Sequence, residues 1–317
     1  MSGSTAHKTA PQEPPAGKPS ALTIWFWAIR PRTLPLAAAA IILGYGLASL
    51  YGDASEAVLL LALLTALLLQ VLSNLANDYG DGVKGTDGAD RLGPLRMVVS
   101  GLTSADGMFR AVVLAAGLSL VSGSALLLVA AWGDWPLFFF FIGLGAACVV
   151  AAIAYTMGKR PYGYYGLGDF MAWLFFGPVA VMGAAVLCGS PVTAPLWLAG
   201  FAAGFCSSSV LNINNMRDIE TDRKAGKRSV AVRLGLERAR KYHAGMTVCI
   251  VLLWGLIWLL VKPAFLWGLF FALPLIRSTW LAVTRAGDAA CLNTQLKHTV
   301  LSSAFLGCGM TLLLLLV

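Results

Sequence analysis

Charge is what this sequence has least of. Only 12% of its 317 residues are Asp, Glu, Lys or Arg, about half the roughly 25% usual in a soluble domain. That scarcity excludes an ordinary soluble helical protein, which needs a solvated face on every surface helix. Histidine is nearly as scarce. His7, His243 and His298 lie far apart, and each reads as a surface or interface residue rather than a metal ligand. The six cysteines (Cys148, Cys188, Cys206, Cys249, Cys291 and Cys308) form no CxxC and no Cys/His spacing that suits zinc. Most sit inside apolar runs, where Cys packs as a small apolar residue. No Ser-His-Asp or Cys-His set offers a nucleophile with its base. A short apolar segment followed by a small-residue cleavage site is also missing, so the first membrane helix is the expected targeting element. Residues 1–20 are rich in Pro, Ser, Gly and Ala. They read as a disordered tail ahead of one domain over 21–317.

Apolar residues fill the rest. They make up 58% of the chain, and the mean hydropathy is +0.76. Runs of roughly 20 apolar residues, long enough to cross a bilayer as a helix, recur along the chain. Nine candidate spans are expected, at about 33–51, 57–77, 108–131, 136–156, 168–188, 194–214, 243–261, 263–283 and 298–317. Between the seventh and eighth only Lys262-Pro263 marks a boundary, and proline suits the first turn of a new helix. The fold class is therefore an all-α membrane bundle. With nine spans, every one of the 23 Lys and Arg residues except Lys262 falls on the same side. Cytoplasmic loops carry that excess. The expected topology is a multi-pass protein of a bacterial cytoplasmic (inner) membrane, N-terminus in the cytoplasm and C-terminus outside. The formal net charge of +8 thus reports topology rather than nucleic-acid binding.

Two acidic stretches interrupt this apolar background. NLANDYGDGVKGTD, 74–87, ends the second span, and LNINNMRDIETDRKAGKRS, 211–229, ends the sixth. In the first, Asn74, Asn77, Asp78 and Asp81 are spaced i, i+3, i+4 and i+7, which places them on one helix face. In the second, Asn214, Asp218 and Asp222 are spaced i, i+4 and i+8. Both contain Asn-x3-Asp, and 74 to 214 and 78 to 218 are each an offset of 140. This is a weak internal repeat, one acidic helix end per half. Both stretches lead into loops on the same expected side, so their carboxylates can face each other over one cavity mouth.

Carboxylates and amide oxygens are hard ligands. They suit Mg²⁺, which takes one or two carboxylates, keeps waters and binds substrate phosphates. Two such sites could hold Mg²⁺ against a diphosphate, with basic residues donating to the phosphate oxygens. Lys84, Arg91, Lys159, Arg160, Arg217 and Lys227 all lie on the expected side. The plainer reading is a set of solvated loop charges. Polar residues at membrane depth are costly, however, and mark functional sites, and Asn74, Asn77 and Asn214 lie at the boundary. Arg30 and Arg32 in RPRTLP read as anchors at the entry of span one. In YTMGKRPYGYYGLGD, 155–169, Tyr155 could line an aromatic pocket, whereas Tyr162, Tyr164 and Tyr165 fit an interfacial aromatic belt. The stretch 222–243 reads as a basic amphipathic surface helix.

These motifs, with LQVLSNLANDYGDGVKG, DRLGPLR, VLNINNMRDIETDR and AVRLG in the same order, resemble the UbiA superfamily of intramembrane prenyltransferases. Within it they are most similar to the 1,4-dihydroxy-2-naphthoate polyprenyltransferase branch. The resemblance runs from about residue 22 to the end. It implies a bundle of nine transmembrane helices around a central cavity capped by cytoplasmic loops. It implies Mg²⁺ and diphosphate held by Asn74, Asn77, Asp78 and Asp81 and by Asn214, Asp218 and Asp222. The implied substrates are a polyprenyl diphosphate drawn from the membrane lipid and 1,4-dihydroxy-2-naphthoate, giving demethylmenaquinone with loss of CO₂ and diphosphate.

Other readings stay open on the residues alone. One is a prenyltransferase with another acceptor, such as 4-hydroxybenzoate. Another is an ion-coupled transporter, although transporters place their charges nearer the membrane midplane at broken helices. The DGxxAR-type motif of phosphatidyl transferases is not in the sequence.

Overall fold

A computed structural model describes residues 19–85 and 96–317. Among them every regular element is helical. The chain is a multi-pass membrane protein. Among the described residues, eight helical segments are long and apolar enough to cross a membrane.

The helices begin and end where local chemistry dictates. A short α1 (Ala21–Ile29) turns at Arg30, which adopts a left-handed conformation at φ 54°, into α2 (Leu34–Ala48). α3 (Glu56–Lys84) starts at Ser55, whose hydroxyl accepts from Val58 N–H, and stops at Gly85, φ 65°. Glycine reaches that conformation without the Cβ clash that penalises other residues. α4 (Ala105–Ala130) and α5 (Trp135–Ala154) are capped by Ser104 and Asp134. α3 packs along α4, and α5 packs against both.

The next span is irregular. α6 (Gly168–Leu174) passes into a π-helical stretch, Phe175–Met182, and then α7 (Gly183–Leu187). Pro178 sits inside the π stretch. Proline has no N–H to give to the helical ladder, and the wider turn accommodates that gap. The same stretch approaches α8 (Ala194–Arg217) at Gly177, where a Cβ would collide with the carbonyl oxygen of Gly200 and lie 2.6 Å from Gly204 Cα. Small residues let membrane helices pack backbone to backbone in this way.

α8 is the central helix of the second half. It contacts α10 (Val230–Val261) most extensively, and also α12 (Ala289–Leu314). Between α8 and α10 lies the short α9 (Ile219–Lys224). α10 joins the basic surface segment to a membrane span, with a break at Gly235 (φ 71°, ψ 163°). The expected eighth span is a 3₁₀ stretch, Pro263–Ala272, followed by α11 (Leu273–Thr284). Leu43, Leu47, Val181, Ile250, Trp254 and Trp258 form the heart of the largest apolar core.

The expected ninth span, α12, is long enough at 26 residues. Its first half is too polar to face lipid, and Gln295, Thr299, Ser302 and Ser303 are buried against protein. Ser278 Oγ of α11 lies 3.0 Å from Gln295 Oε1 and 2.8 Å from Thr299 Oγ1. α2, α8 and α11 pack against it, while Leu301, Phe305 and Leu312 leave an apolar face exposed, and α12 is not among the eight segments apolar enough to cross a membrane. Outside, large apolar side chains such as Val121, Phe139, Phe140, Leu252 and Leu259 are exposed, as a lipid-facing belt requires.

Candidate active site

The C-terminal ends of α3, α5 and α8 and the N-terminal ends of α2, α6, α10 and α12 meet at one end of the bundle. A cavity of about 540 Å³ opens among them, within the range of small-molecule sites. One end is polar, lined by Arg32, Asn77, Asp81, Asp218, Asp222 and Lys227. The body is apolar and reaches Ala62 on α3 and Leu127 on α4. From Asp81 back to Ala62 is roughly 28 Å of helix at 1.5 Å per residue, close to the thickness of a bilayer core.

The two acidic stretches do face each other. Lys227 Nζ lies 3.1 Å from Asp81 Oδ1 and 3.9 Å from Asp222 Oδ1. One cationic position is therefore shared by a carboxylate from each motif. Asp81 is almost fully buried, and its other oxygen pairs with Arg96 Nη2 at 2.6 Å. Tyr164 donates its hydroxyl to Asp81 Oδ1 at 2.9 Å. The Tyr164 ring has Lys84 Nζ and Lys227 Nζ each 5.0 Å from its centre. Cations near an aromatic ring are attracted by its quadrupole, so the tyrosine fixes Lys227 as well as Asp81.

The four residues on one face of α3 have different neighbours. Asn77 lines the cavity, and its Oδ1 accepts from Thr156 at 3.2 Å. Asn74 lines it too, but its Nδ2 donates to Ile29 O at 2.8 Å and to Thr33 Oγ1 at 3.0 Å, tying down the α1–α2 corner. Asp78 does not line the cavity. Its two oxygens accept from Met97 N–H at 2.9 Å and Val98 N–H at 3.0 Å. Asp78, expected to offer its carboxylate to a metal, is directed instead at the backbone of the 96–100 turn, set back from the cavity.

The second motif is organised by Arg217. Its Nε donates to Asp218 Oδ1 at 2.7 Å, its Nη1 to Asn293 Oδ1 at 2.8 Å and its Nη2 to Asn214 Oδ1 at 2.8 Å. Asp218, Asn214 and Asn293 line the cavity, while Arg217 stands behind them with its side chain 1% exposed. Arg217, expected to contact substrate, instead orients residues that line the cavity.

Other basic residues are also redirected. Lys84 donates to Thr156 O at 2.8 Å, closing the end of α5. Lys159 and Arg160 are exposed on the turn after α5 and do not line the cavity. Arg91 lies outside the described residues, as do Asp87 and Asp90. Tyr155 lines the cavity, its ring edge-on to Tyr162 at 5.4 Å. Burial pushes the Tyr162 hydroxyl up to about 12, so it stays protonated and donates to Ala151 O at 2.8 Å.

Sequence reasoning missed Tyr164 and Arg96 as partners of Asp81, and Asn293 as a partner of Arg217. Tyr164 was visible only as one tyrosine among several in a turn. Asn293 lies on α12 within no motif at all.

The donor set suits Mg²⁺. Its oxygens are hard, and two carboxylates already converge on one cation, the Lys227 ammonium. Among the described residues no three His, Cys, Asp or Glu side chains come together to hold a metal alone.

Comparison with known proteins bears on the family and the fold. A model of the UbiA prenyltransferase family matches residues 34–301. The chain is 45% identical over 282 residues to 1,4-dihydroxy-2-naphthoate octaprenyltransferase of Escherichia coli, covering 87% of this chain and 90% of that one. It is 40% identical to the Mycobacterium tuberculosis protein of the same name, over 70% and 73% of the two chains. Among solved structures, a UbiA homolog from Archaeoglobus fulgidus bound to DMAPP and Mg²⁺ superposes with a TM-score of 0.60 at 18% identity, covering 88% of this chain and 98% of the other. A homolog from Aeropyrum pernix gives 0.63 at 16%, over 90% and 97%.

Proposed function

The chain belongs to the UbiA prenyltransferase family, and on that basis we propose that it transfers a polyprenyl group from polyprenyl diphosphate to 1,4-dihydroxy-2-naphthoate in menaquinone biosynthesis. The observation that carries the reading is the shared position of Asp81 and Asp222 around one cation, at the polar end of an otherwise apolar cavity. The names of the relatives support the acceptor.

The diphosphate lies at the polar end. Asp81, Asp222 and Asp218, with Asn77 and Asn214 beside them, would hold Mg²⁺. The metal, when bound, neutralises charge that develops on the leaving diphosphate. Lys227 and Arg32 donate to the phosphate oxygens from fixed positions, and such preorganised donors cost no reorganisation as the charge develops. The allylic C–O bond breaks with its electron pair leaving on the diphosphate. Apolar walls such as Leu69, Val149 and Phe176 house the prenyl chain and exclude water from the cation. The electron-rich ring then attacks through the carbon bearing its carboxylate. Loss of CO₂ restores aromaticity, and the product is demethylmenaquinone in its quinol form. No side chain forms a covalent intermediate. The basic helix ends face the cytoplasm of a bacterial cytoplasmic membrane, with the N-terminus inside and the C-terminus outside.

The test is a product assay on purified protein in nanodiscs with Mg²⁺ and a polyprenyl diphosphate, supplying either 1,4-dihydroxy-2-naphthoate or 4-hydroxybenzoate. Prenylated, decarboxylated naphthoquinol, lost on chelation and in Asp222→Asn, is expected. Product from 4-hydroxybenzoate alone would overturn the acceptor, and activity that survives chelation would overturn the metal.

A further inference from the structure

One corner of the cavity is left unused by the diphosphate chemistry. Asn215 lines it from α8, one position after Asn214. Its Nδ2 donates to Asp169 Oδ1 at 3.4 Å. Asp169 is 3% exposed and stands behind the cavity wall, not in it. The main chain of Asp169 is itself anchored, since its carbonyl accepts from Ser208 Oγ at 2.7 Å. With the nitrogen end of the Asn215 amide turned into the wall, the oxygen end faces the cavity.

An aromatic wall lies next to this acceptor. A Cβ on Gly168 would come within 3.2 Å of Tyr155 Cε2 and within 3.4 Å of both the Tyr155 hydroxyl and Leu211 Cδ2. Gly168, Tyr155 and Leu211 all line the cavity. The bare glycine lets the Tyr155 ring lie close against the start of α6, where a side chain would crowd it. The corner thus offers a ring, an aliphatic side chain and one oriented hydrogen-bond acceptor, the complement of a flat arene with a hydroxyl group.

We propose that Asn215 accepts a hydrogen bond from a ring hydroxyl of the aromatic acceptor, and that Asp169 holds the amide in the orientation that makes this possible. The inference rests on the prenyl-transfer reading above and adds the group that selects the acceptor. It also bears on rate. As the ring attacks the allylic carbon, positive charge spreads onto the ring oxygens and the hydroxyl becomes a stronger donor. The bond to Asn215 Oδ1 therefore strengthens toward the transition state, and only interactions that do so accelerate the step. Asn215 touches substrate; Asp169 is a positioning residue.

The experiment compares 1,4-dihydroxy-2-naphthoate with its two mono-O-methyl ethers, in which one hydroxyl at a time can no longer donate. Steady-state kinetics are measured for wild type, Asn215→Leu and Asp169→Asn with Mg²⁺ and one polyprenyl diphosphate. Wild type should prefer the parent over one ether by about 100-fold or more in kcat/KM, because a site built around a hydrogen bond rejects analogues that lack it. Asn215→Leu should shrink that preference to within about threefold, with the KM for polyprenyl diphosphate unchanged. Asp169→Asn should raise the acceptor KM about 10-fold and reduce the same preference. If Asn215→Leu does not accumulate as folded protein, the ratio in Asp169→Asn decides. Retention of the full preference in the folded variants overturns the inference while leaving the prenyl-transfer reading intact. Failure of wild type to prenylate the naphthoate at all overturns both, and the two results cannot be confused.

Discussion

Lys227 Nζ lies 3.1 Å from Asp81 Oδ1, although the two come from opposite halves of the chain. Asp81 closes a membrane helix, and Lys227 sits in the loop after α9. Their contact holds the two acidic motifs at one point. A buried carboxylate needs such a partner, since burial alone disfavours its charged form.

Lys227→Met should therefore leave Asp81 and Asp222 without their shared cation and remove a donor to the diphosphate. Turnover is expected to fall roughly 100-fold. Lys227→Arg should recover part of it by restoring the charge. Single-turnover kinetics on the two variants check this, and wild-type rates in Lys227→Met would remove the lysine from the site.

Asp81 and Asp78 are three positions apart and should behave differently. Asp81→Asn weakens the metal site, so the Mg²⁺ concentration for half-maximal rate should rise about 10-fold or more. Asp78→Asn loosens the Met97–Val98 turn, which carries Arg96 beside Asp81. The rate should drop at every Mg²⁺ concentration, without a shift in the half-maximal point. Titration of rate against Mg²⁺ separates the two effects.

Arg217 is tested by stability. Arg217→Met strands Asp218 in a site where that carboxylate is 6% exposed. Removing one partner of a buried pair typically costs about 3–5 kcal/mol. The thermal midpoint in detergent should fall well below that of Lys84→Met, which removes a cap on the end of α5 and one of two cations beside Tyr164 but strands no buried charge.

Gly177→Val should also destabilise, for a steric reason. Its side chain would have to enter the backbone of α8 at Gly200 and Gly204. Overpacking of this kind typically costs about 1–3 kcal/mol. A melting temperature equal to that of wild type would show that the π stretch can move away from α8.

Most of the architecture was legible because lipid makes a strong demand on sequence: long apolar runs, basic residues gathered at one end, small residues at close contacts. The helix faces were legible too, but their use was not. Asn74, Asn77, Asp78 and Asp81 share a face of α3, yet that face is wide enough to meet the α1–α2 corner, the end of α5, the 96–100 turn and the cavity. Spacing cannot say which neighbour each residue finds. Lys159 and Arg160 lie on the expected side but point away, because side of the membrane does not fix direction within a loop. The polar first half of α12 is tolerated inside the bundle because its Ser and Thr residues meet neighbouring helices, such as Ser278 of α11, that a single run of sequence does not contain.

The break at Gly235 separates the site from the bilayer mechanically. Beyond it, α10 is a membrane span that must tilt as lipid thickness changes. Before it, the chain is tied to the turn after α5, with Arg233 Nη2 donating to Tyr165 O at 2.6 Å and Arg228 N–H to Tyr164 O at 2.9 Å. A glycine hinge transmits little bending. Lys227 therefore takes its position from the Tyr164 turn rather than from the long helix that follows, and a membrane that thins or thickens should leave the distance between its ammonium and Asp81 unchanged.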